Sequence, residues 1–188
     1  MDSKKSKCVS NNNQMKFSDL LQTDIRRWNK LSNAVCKLGF YSVLFYRISH
    51  FLSLYNFKIL SSIVQFLSHM ITGAEISNRA SIGSGLIILH PTAVHIGPNV
   101  KIGSNACICE CCAILNNIEV GPGEPNIGDY LWMSSGSKIY GPVRLGDHVW
   151  IGPNSVVLKD IPSNMTAYGI PARILPKTFR KNQSIRRS

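Results

Sequence analysis

The chain has 188 residues, of which 44% are hydrophobic and 16% are charged. This composition supplies enough apolar side chain for a core, so a chain that is disordered throughout is excluded. Lysine and arginine outnumber aspartate and glutamate by 21 to 10, giving a formal charge of +11. That excess favours an anionic partner, such as a nucleic acid, an acidic lipid or a phosphorylated small molecule.

The first 15 residues are polar and lack the apolar segment of a secretory signal, so residues 1–15 are expected to be a disordered tail. The apolar stretch at 40–73 is interrupted by charged and histidine side chains, so a membrane-spanning helix is not expected. The six cysteines show no disulfide-like spacing. Together these features predict a protein of the reducing cytoplasm.

Residues 16–73 have the spacing of a helical section. Apolar positions recur every three or four residues over 40–52, with Arg47 on another face of the helix. A second apolar run at 59–71 predicts a partner helix, and Gly73 is the expected stop.

Residues 74–175 carry a six-residue repeat. Thirteen positions in register are aliphatic, which has a chance probability on the order of 10⁻⁷ if aliphatic residues fill roughly 30% of a chain. They are Ile76, Ile82, Ile88, Ile96, Ile102, Ile108, Ile114, Ile127, Met133, Ile139, Leu145, Ile151 and Val157. A period of six fits neither an amphipathic helix nor an alternating strand. It is the hexapeptide repeat of a parallel β-helix, in which three hexapeptides make one triangular coil and the aliphatic residue points inward.

The repeat is interrupted twice. Two extra residues follow Ile88, around His90, and a longer insertion lies at 115–126. Because insertions in a repeat array form surface loops, function is expected at these interruptions. After the repeat, residues 176–188 carry basic side chains and no acid, which predicts a mobile, solvated tail.

These segments resemble the hexapeptide acyltransferases, specifically their serine acetyltransferase-like branch. The segment GFYSVLFYRISH at 39–50 is similar to the helix that enters the β-helix in that branch. The interruption after Ile88 is similar to its catalytic coil, and SVVLKDIPSNMTAYGIPARI at 155–174 to its closing coil. The resemblance implies a mainly β chain, in which a left-handed parallel β-helix follows a short α-helical section. It also implies a homotrimer with active sites between subunits.

The resemblance implies acetyl transfer from acetyl-coenzyme A. It makes His90 the general base, which takes the proton of an acceptor hydroxyl and returns it to the departing thiolate. Backbone N–H groups of the turns would hold the oxyanion. Glu75 stands where the family has an aspartate that orients the histidine and stabilises its cationic form.

Coenzyme A is expected along the later coils. The resemblance implies backbone contacts at Ser135 and Pro153 for the pantetheine arm, and contacts of Lys159 and Arg173 with the phosphates. The cysteine-rich segment at 107–112 is interpreted as packing and surface thiols, so no metal site is expected.

Two departures from the branch bear on the acceptor. Leu89 stands where the resemblance requires an aspartate for the ammonium of serine. Gly123-Glu124-Pro125 replaces an Arg-His-Pro segment that would hold its carboxylate. These departures and the short helical section predict an O-acetyltransferase acting on a sugar hydroxyl in capsule, O-antigen or exopolysaccharide synthesis. Serine O-acetyltransferase of cysteine biosynthesis is the alternative.

Other function classes are weaker. A non-catalytic hexapeptide scaffold would be indifferent to substitution of His90, whereas a catalyst would not. Nucleic-acid binding is not expected, because the basic tail has no interleaved aromatic residues and no recognisable reading module. Peripheral membrane contact through the aromatic residues of the helical section is kept as an alternative.

Overall fold

The structure is a computed structural model that describes residues 17–28, 34–116 and 123–176. The disordered tail expected at 1–15 lies outside the described residues. So does the basic tail beyond Pro176.

Three helices of the described chain precede its strands: α1 (Phe17–Arg27), α2 (Leu38–Leu54) and α3 (Lys58–Thr72). Helix α3 ends where Gly73 adopts φ 74°, a left-handed conformation that favours glycine. The Gly73 N–H donates to the carbonyl oxygen of His69 at 2.9 Å. The predicted partner helix and its stop are therefore confirmed. Among the described residues, no helix combines the length and the apolar character needed to cross a bilayer.

The expectation that Arg47 lies on another face than the apolar side chains of its helix is wrong, because Arg47 is buried along with them. Its side chain is 2% exposed, and its Nε lies 2.9 Å from Oδ2 of Asp24 on α1. Its two terminal nitrogens donate to the carbonyl oxygens of Ile82 and Gly83, both at 2.6 Å. A guanidinium can be buried when hydrogen bonds and a carboxylate offset its desolvation. Arg47 therefore ties α1 and α2 to the first coil.

Fifteen short strands follow in the described chain. Their bounds are β1 Glu75–Ile76, β2 Ser81–Ile82, β3 Ile87–Ile88, β4 His95–Ile96, β5 Lys101–Ile102, β6 Cys107–Ile108, β7 Ala113–Leu115, β8 Asn126–Ile127, β9 Trp132–Met133, β10 Lys138–Tyr140, β11 Arg144–Leu145, β12 Trp150–Ile151, β13 Val156–Val157, β14 Met165–Tyr168 and β15 Arg173–Pro176. They form three sheets: β1-β4-β7-β10-β13, β2-β5-β8-β11 and β3-β6-β9-β12-β14-β15. We call these the first, second and third faces. From β1 to β13, consecutive strands lie on successive faces, so the chain winds as a triangular prism, and β15 closes it antiparallel to β14.

The interior of the prism is the core of the molecule. All thirteen aliphatic positions of the repeat are buried, with exposures of 0–6%. Each stacks on a counterpart one coil along, as Ile76 does on Ile96 and Ile96 on Ile114. Full burial of one such side chain contributes about 1.5–3 kcal/mol. The prediction of a mainly β chain built from hexapeptide coils is confirmed.

The helices attach to the coil that carries the first interruption. A Cβ on Gly39 of α2 would lie 1.7 Å from the carbonyl oxygen of Ile88, so only glycine allows this approach. From the other side, the Ala93 N–H donates to the carbonyl oxygen of Gly73 at 3.0 Å. Helices α2 and α3 thus support both ends of the turn that contains His90.

Candidate functional site

His90 lies at the edge between the third and first faces. It is exposed and comes two residues after the buried aliphatic residue of β3. Because β3, β6, β9 and β12 pair in register, the equivalent residues of the next coils are Glu110, Ser135 and Pro153. We call these four residues the histidine edge. The structure therefore brings three residues predicted for the site, His90, Ser135 and Pro153, onto one line parallel to the axis.

Glu110 is a site residue that the sequence interpretation missed. It lies one coil from His90 and is partly exposed. A hydrogen bond from the Ser135 side chain is the main cause that lowers the pKa of Glu110, and the nearby His90 lowers it further. A carboxylate that stays ionised therefore stands beside the imidazole. Its position in the repeat could have identified it. Glu110 follows Ile108 by two residues, and His90 follows Ile88 by the same number.

Glu75 lies on β1, where its N–H donates to the carbonyl oxygen of Val94 at 2.8 Å. Its Oε2 is 3.9 Å from Nε2 of His95, the residue opposite it on β4. The two side chains are about half exposed, and a pair of this kind contributes at most about 1 kcal/mol. Glu75 thus has the ring of His95 as its neighbour, and its predicted role toward His90 stays a prediction.

The two predicted phosphate ligands are both exposed but lie on different sides of the first face. Arg173 begins β15 directly after Ala172, whose N–H donates to the carbonyl oxygen of Val156 on the first face at 2.8 Å. This places Arg173 near the C-terminal end of the histidine edge. Lys159 follows β13, where the chain leaves the first face toward the second.

The edge between the first and second faces carries the other charged groups of interest. The Arg79 guanidinium donates to Oδ1 of Asn99 at 3.1 Å, and the Asn99 amide donates to Oε1 of Glu124 at 3.2 Å. Lys159 stands at the same edge. We call Arg79, Asn99, Glu124 and Lys159 the arginine edge. The full width of the first face separates it from His90.

The cysteine-rich segment lies beside the histidine edge. Cys107 and Cys112 are buried, whereas Cys111 is exposed. Burial raises the pKa of Cys107 to about 12, and it also raises the pKa values of Cys109 and Cys112. The Cys112 thiol faces the carbonyl oxygen of Ser134 at 3.2 Å. Within the described ranges, no three histidine, cysteine or acidic side chains are grouped so as to hold a metal ion.

Comparison with known proteins gives a consistent result. No family model matches the chain. The serine acetyltransferase of Synechococcus elongatus is 30% identical over 166 residues, which are 85% of this chain and 66% of the relative. That of Helicobacter pylori strain J99 is 33% identical over 159 residues, 84% of this chain and 93% of the relative. A crystal structure of serine acetyltransferase in complex with coenzyme A from Brucella abortus superposes with a TM-score of 0.80 at 28% identity, covering 85% of this chain and 68% of that one.

The predicted sugar acceptor is contradicted, because these relatives are serine acetyltransferases. That prediction assumed that no other residue supplies the charges that are missing at Leu89 and Gly123-Glu124-Pro125. These are an anion for the ammonium of serine and a cation for its carboxylate. The structure places the Glu110 carboxylate one coil from His90 and the Arg79 guanidinium at the edge of Glu124. Charge is therefore present at both edges on other residues.

Two other predictions from the resemblance agree with the comparisons. The left-handed sense of the β-helix is confirmed by the likeness to solved serine acetyltransferases. An acyltransferase that uses acetyl-coenzyme A is confirmed as well. With a relative matched over 93% of its length, the chain belongs to the serine acetyltransferase family of hexapeptide-repeat enzymes.

Proposed function

We propose that this protein is a serine O-acetyltransferase, which moves the acetyl group of acetyl-coenzyme A to the hydroxyl of serine. The observation that supports it most is the 33% identity to the Helicobacter pylori serine acetyltransferase along 93% of that enzyme. The site supplies the chemistry through an exposed imidazole on a turn that is held at both ends.

In the proposed reaction His90 is the general base. Neutral imidazole takes the proton of the serine hydroxyl as the oxygen attacks the thioester carbonyl. The C–S bond then breaks, and His90 returns the proton to the coenzyme A thiolate. Such proton transfer contributes about 10²–10⁴ in rate.

Coenzyme A lies along the histidine edge in this proposal. The backbone at Ser135 and Pro153 contacts the pantetheine arm, because both residues continue the line that begins at His90. Arg173 stands near the far end of that line and meets the phosphates. Lys159 reaches them from the arginine edge of a neighbouring copy.

The charged ends of serine need two partners. Glu110 accepts the ammonium, since its carboxylate is ionised and stands beside His90. The guanidinium of Arg79 meets the carboxylate, as a fork of donors matches that group. Arg79 is held at the arginine edge by Asn99.

A homotrimer completes this site. In one copy His90 and Arg79 lie on opposite sides of the first face, so a single copy does not bring them to one substrate. Assembly around a threefold axis places the arginine edge of one copy against the histidine edge of the next. Location in the cytoplasm stays a prediction.

The test is a thiol-release assay with the purified protein, acetyl-coenzyme A and a panel of acceptors that includes L-serine and common sugars. We expect serine to give the fastest release. His90→Asn should lower turnover by about 10²–10⁴, while the control His148→Asn, at the edge between the second and third faces, should leave it unchanged. If release with serine is no faster than without an acceptor, or slower than with another acceptor, the proposal fails.

A further inference from the structure

A groove on the third face lies away from both edges of the proposed active site. Its volume is about 210 Å³, and Tyr130, Trp132 and Trp150 line it together with Arg27 of α1. Trp132 and Trp150 belong to β9 and β12, and Tyr130 stands in the turn before β9, at the edge between the second and third faces. That edge is the one edge of the prism that does not border the first face. We call this feature the tryptophan groove.

Two tryptophans give the groove an aromatic surface. Trp132 lies opposite Trp150 in the register of β9 with β12, so the two indoles stand one coil apart. Both side chains are partly exposed, although tryptophan is highly buried on average. The Trp150 ring also meets the ring of Tyr168, with centroids 4.8 Å apart. Neighbouring strands lie about 4.7–4.9 Å apart, whereas a ring between two indoles needs about 3.5 Å on each side, so a planar ligand lies over the indoles.

Arg27 gives the groove a positive charge. It ends α1, and one of its terminal nitrogens donates to the main-chain and side-chain oxygens of Asn105, at 3.0 and 3.1 Å. Its other N–H groups have no partner within the part of the chain that the structure describes. Burial raises the pKa of Cys107, another lining residue, and the charge of Arg27 opposes that rise. The anchored guanidinium therefore acts on the inside of the groove.

No negative charge of the described chain lines the groove. The turns at its edge carry two carboxylates, but both are bonded to main-chain groups. Oδ1 of Asp129 accepts from the N–H of Ser104 at 2.6 Å, and Oδ1 of Asp147 accepts from the N–H of Asp129 at 2.8 Å. Each carboxylate thus caps a turn of the preceding coil. The groove is left with aromatic faces and one cation, which suit a flat ring that carries an anion.

We propose that the tryptophan groove binds a planar aromatic anion, a flat ring joined to one carboxylate or phosphate. The ring lies over Trp132 and Trp150, because offset stacking is favourable between aromatic faces. The anion meets the guanidinium of Arg27, whose fork of N–H groups matches two oxygens. Sites for drug-sized ligands measure about 300–1,000 Å³, so this smaller groove holds a single ring or a fused pair.

This binding goes beyond the proposed acetyl transfer and does not depend on it, because the groove includes no residue of the histidine edge or the arginine edge. The test is a ligand-observed NMR titration of the full-length protein with 4-hydroxybenzoate and with adenosine monophosphate. Saturating coenzyme A is present, so that adenosine monophosphate does not occupy the proposed coenzyme A site. We expect saturable binding of at least one probe, and which one binds distinguishes an aromatic carboxylate from a nucleotide.

Two variants assign the binding to the groove. Arg27→Gln removes the charge but keeps a donor for Asn105, and it should weaken binding about 10- to 100-fold. Trp150→Leu removes the aromatic face but keeps an apolar side chain, and it should weaken binding about 5- to 100-fold. The matched control is Arg26→Gln, which makes the same charge change at an exposed neighbouring position of α1 and should leave the Kd unchanged. Circular dichroism checks that each variant is folded.

Four results overturn the proposal. If neither probe binds, the groove is not a site for aromatic anions. If both variants bind as the wild type does, the probe lies elsewhere. If the neutral 4-hydroxybenzyl alcohol binds as tightly as 4-hydroxybenzoate, and adenosine monophosphate does not bind, no anion is recognised. If methyl glucoside binds where neither anion does, the groove belongs to a neutral saccharide.

Discussion

At the histidine edge, a carboxylate and an imidazole become neighbours because the coils stack in register. Each stands two residues beyond the buried aliphatic residue of its own strand, so pairing of β3 with β6 brings His90 and Glu110 together. In a β-helix, the side chains that act together are therefore found at equivalent positions of successive coils rather than at nearby positions of the sequence.

Replacing Glu110 by glutamine should weaken the binding of serine. A hydrogen bond to a charged group contributes about 1.5–3 kcal/mol, so we expect the KM for serine to rise about 10- to 100-fold. The KM for acetyl-coenzyme A and the value of kcat should change little. Steady-state kinetics with each substrate varied measures this. Asp19→Asn, an exposed carboxylate on α1, is the control. A fall in kcat at an unchanged KM for serine would instead mean that Glu110 acts on His90.

The thiols should differ in their reactivity with iodoacetamide. Cys36 and Cys111 are exposed, so they should be alkylated first. The pKa of Cys107 is raised to about 12 by burial, which leaves a thiolate fraction on the order of 10⁻⁴ at pH 8. Peptide mass spectrometry over a time course measures the order, and a denatured sample should show equal rates. Equal alkylation of Cys107 and Cys111 in the native protein would contradict the assignment.

The sequence predicts the burial of a residue well where the fold accepts only one kind of side chain at that position. The thirteen aliphatic positions are buried because a narrow prism accepts nothing else there. Arg47 and Glu110 were missed because their environment comes from partners far along the chain. Asp24, the partner of Arg47, is on another helix. Ser135, the hydrogen-bond partner of Glu110, is on the next coil. Periodicity indicates which way a side chain points, but not which distant group it meets.

Among the elements, α2 contacts the prism through several polar side chains. Its His50 has Nδ1 at 2.8 Å from the carbonyl oxygen of Asn78. Burial lowers the pKa of His50 below 6.5, Arg47 adds to the lowering, and the bond to Asn78 opposes it. The folded protein therefore favours the neutral ring more than the unfolded chain does.

This lowered pKa makes stability depend on pH. When the pH falls below 6.5, the unfolded chain binds a proton at position 50 before the folded one does, so the free energy of unfolding falls until the folded pKa is reached. Urea denaturation between about pH 5 and 8 measures the slope. His50→Gln should flatten it, and the exposed His148→Asn should not. An unchanged slope in His50→Gln would contradict the assignment.

Gly39→Ala should separate helix propensity from docking. Alanine favours an isolated helix by about 1 kcal/mol over glycine, but a Cβ at this position meets the carbonyl oxygen of Ile88 at 1.7 Å. We expect net destabilisation of about 1–3 kcal/mol, measured as a lower urea midpoint, together with lower activity because the His90 turn loses its support. Leu38→Ala, at an exposed neighbouring position, is the control. A stabilised Gly39→Ala protein would show that α2 does not press on β3.

The positions of the helices and strands follow from the sequence, but the side toward which α3 turns its apolar residues does not. An apolar stripe at 59–71 predicts a helix with a face to bury, and α3 spans Lys58–Thr72. The apolar spacing does not indicate whether this face packs against the same chain. The interior of the prism is filled by its own aliphatic residues, so the large side chains of α3 remain outside.

For the whole molecule, the first face sets the arrangement of the site. The histidine edge borders it on one side and the arginine edge on the other. Stacked coils keep these edges parallel along the axis. The same rigidity prevents the two edges of one copy from meeting, so the site that we propose is complete only in the proposed trimer.

Mixing two defective chains tests this arrangement. His90→Asn should lower turnover by about 10²–10⁴, and Arg79→Ala should lose serine binding, because each damages a different edge. In trimers assembled at random from equal amounts of both, about one quarter of the sites pair an intact histidine edge with an intact arginine edge. Coexpression of the two variants should therefore restore about a quarter of wild-type activity in the thiol-release assay.

The matched control for this experiment coexpresses His90→Asn with Glu110→Gln, assayed at low serine. Both substitutions lie on the histidine edge, so no mixed interface can rebuild an intact site, and activity should equal the average of the two parents. If the first mixture also stays at the average of its parents, His90 and Arg79 do not serve one substrate across copies. Activity above that average arises only when two chains share a site, because neither chain alone has both edges intact.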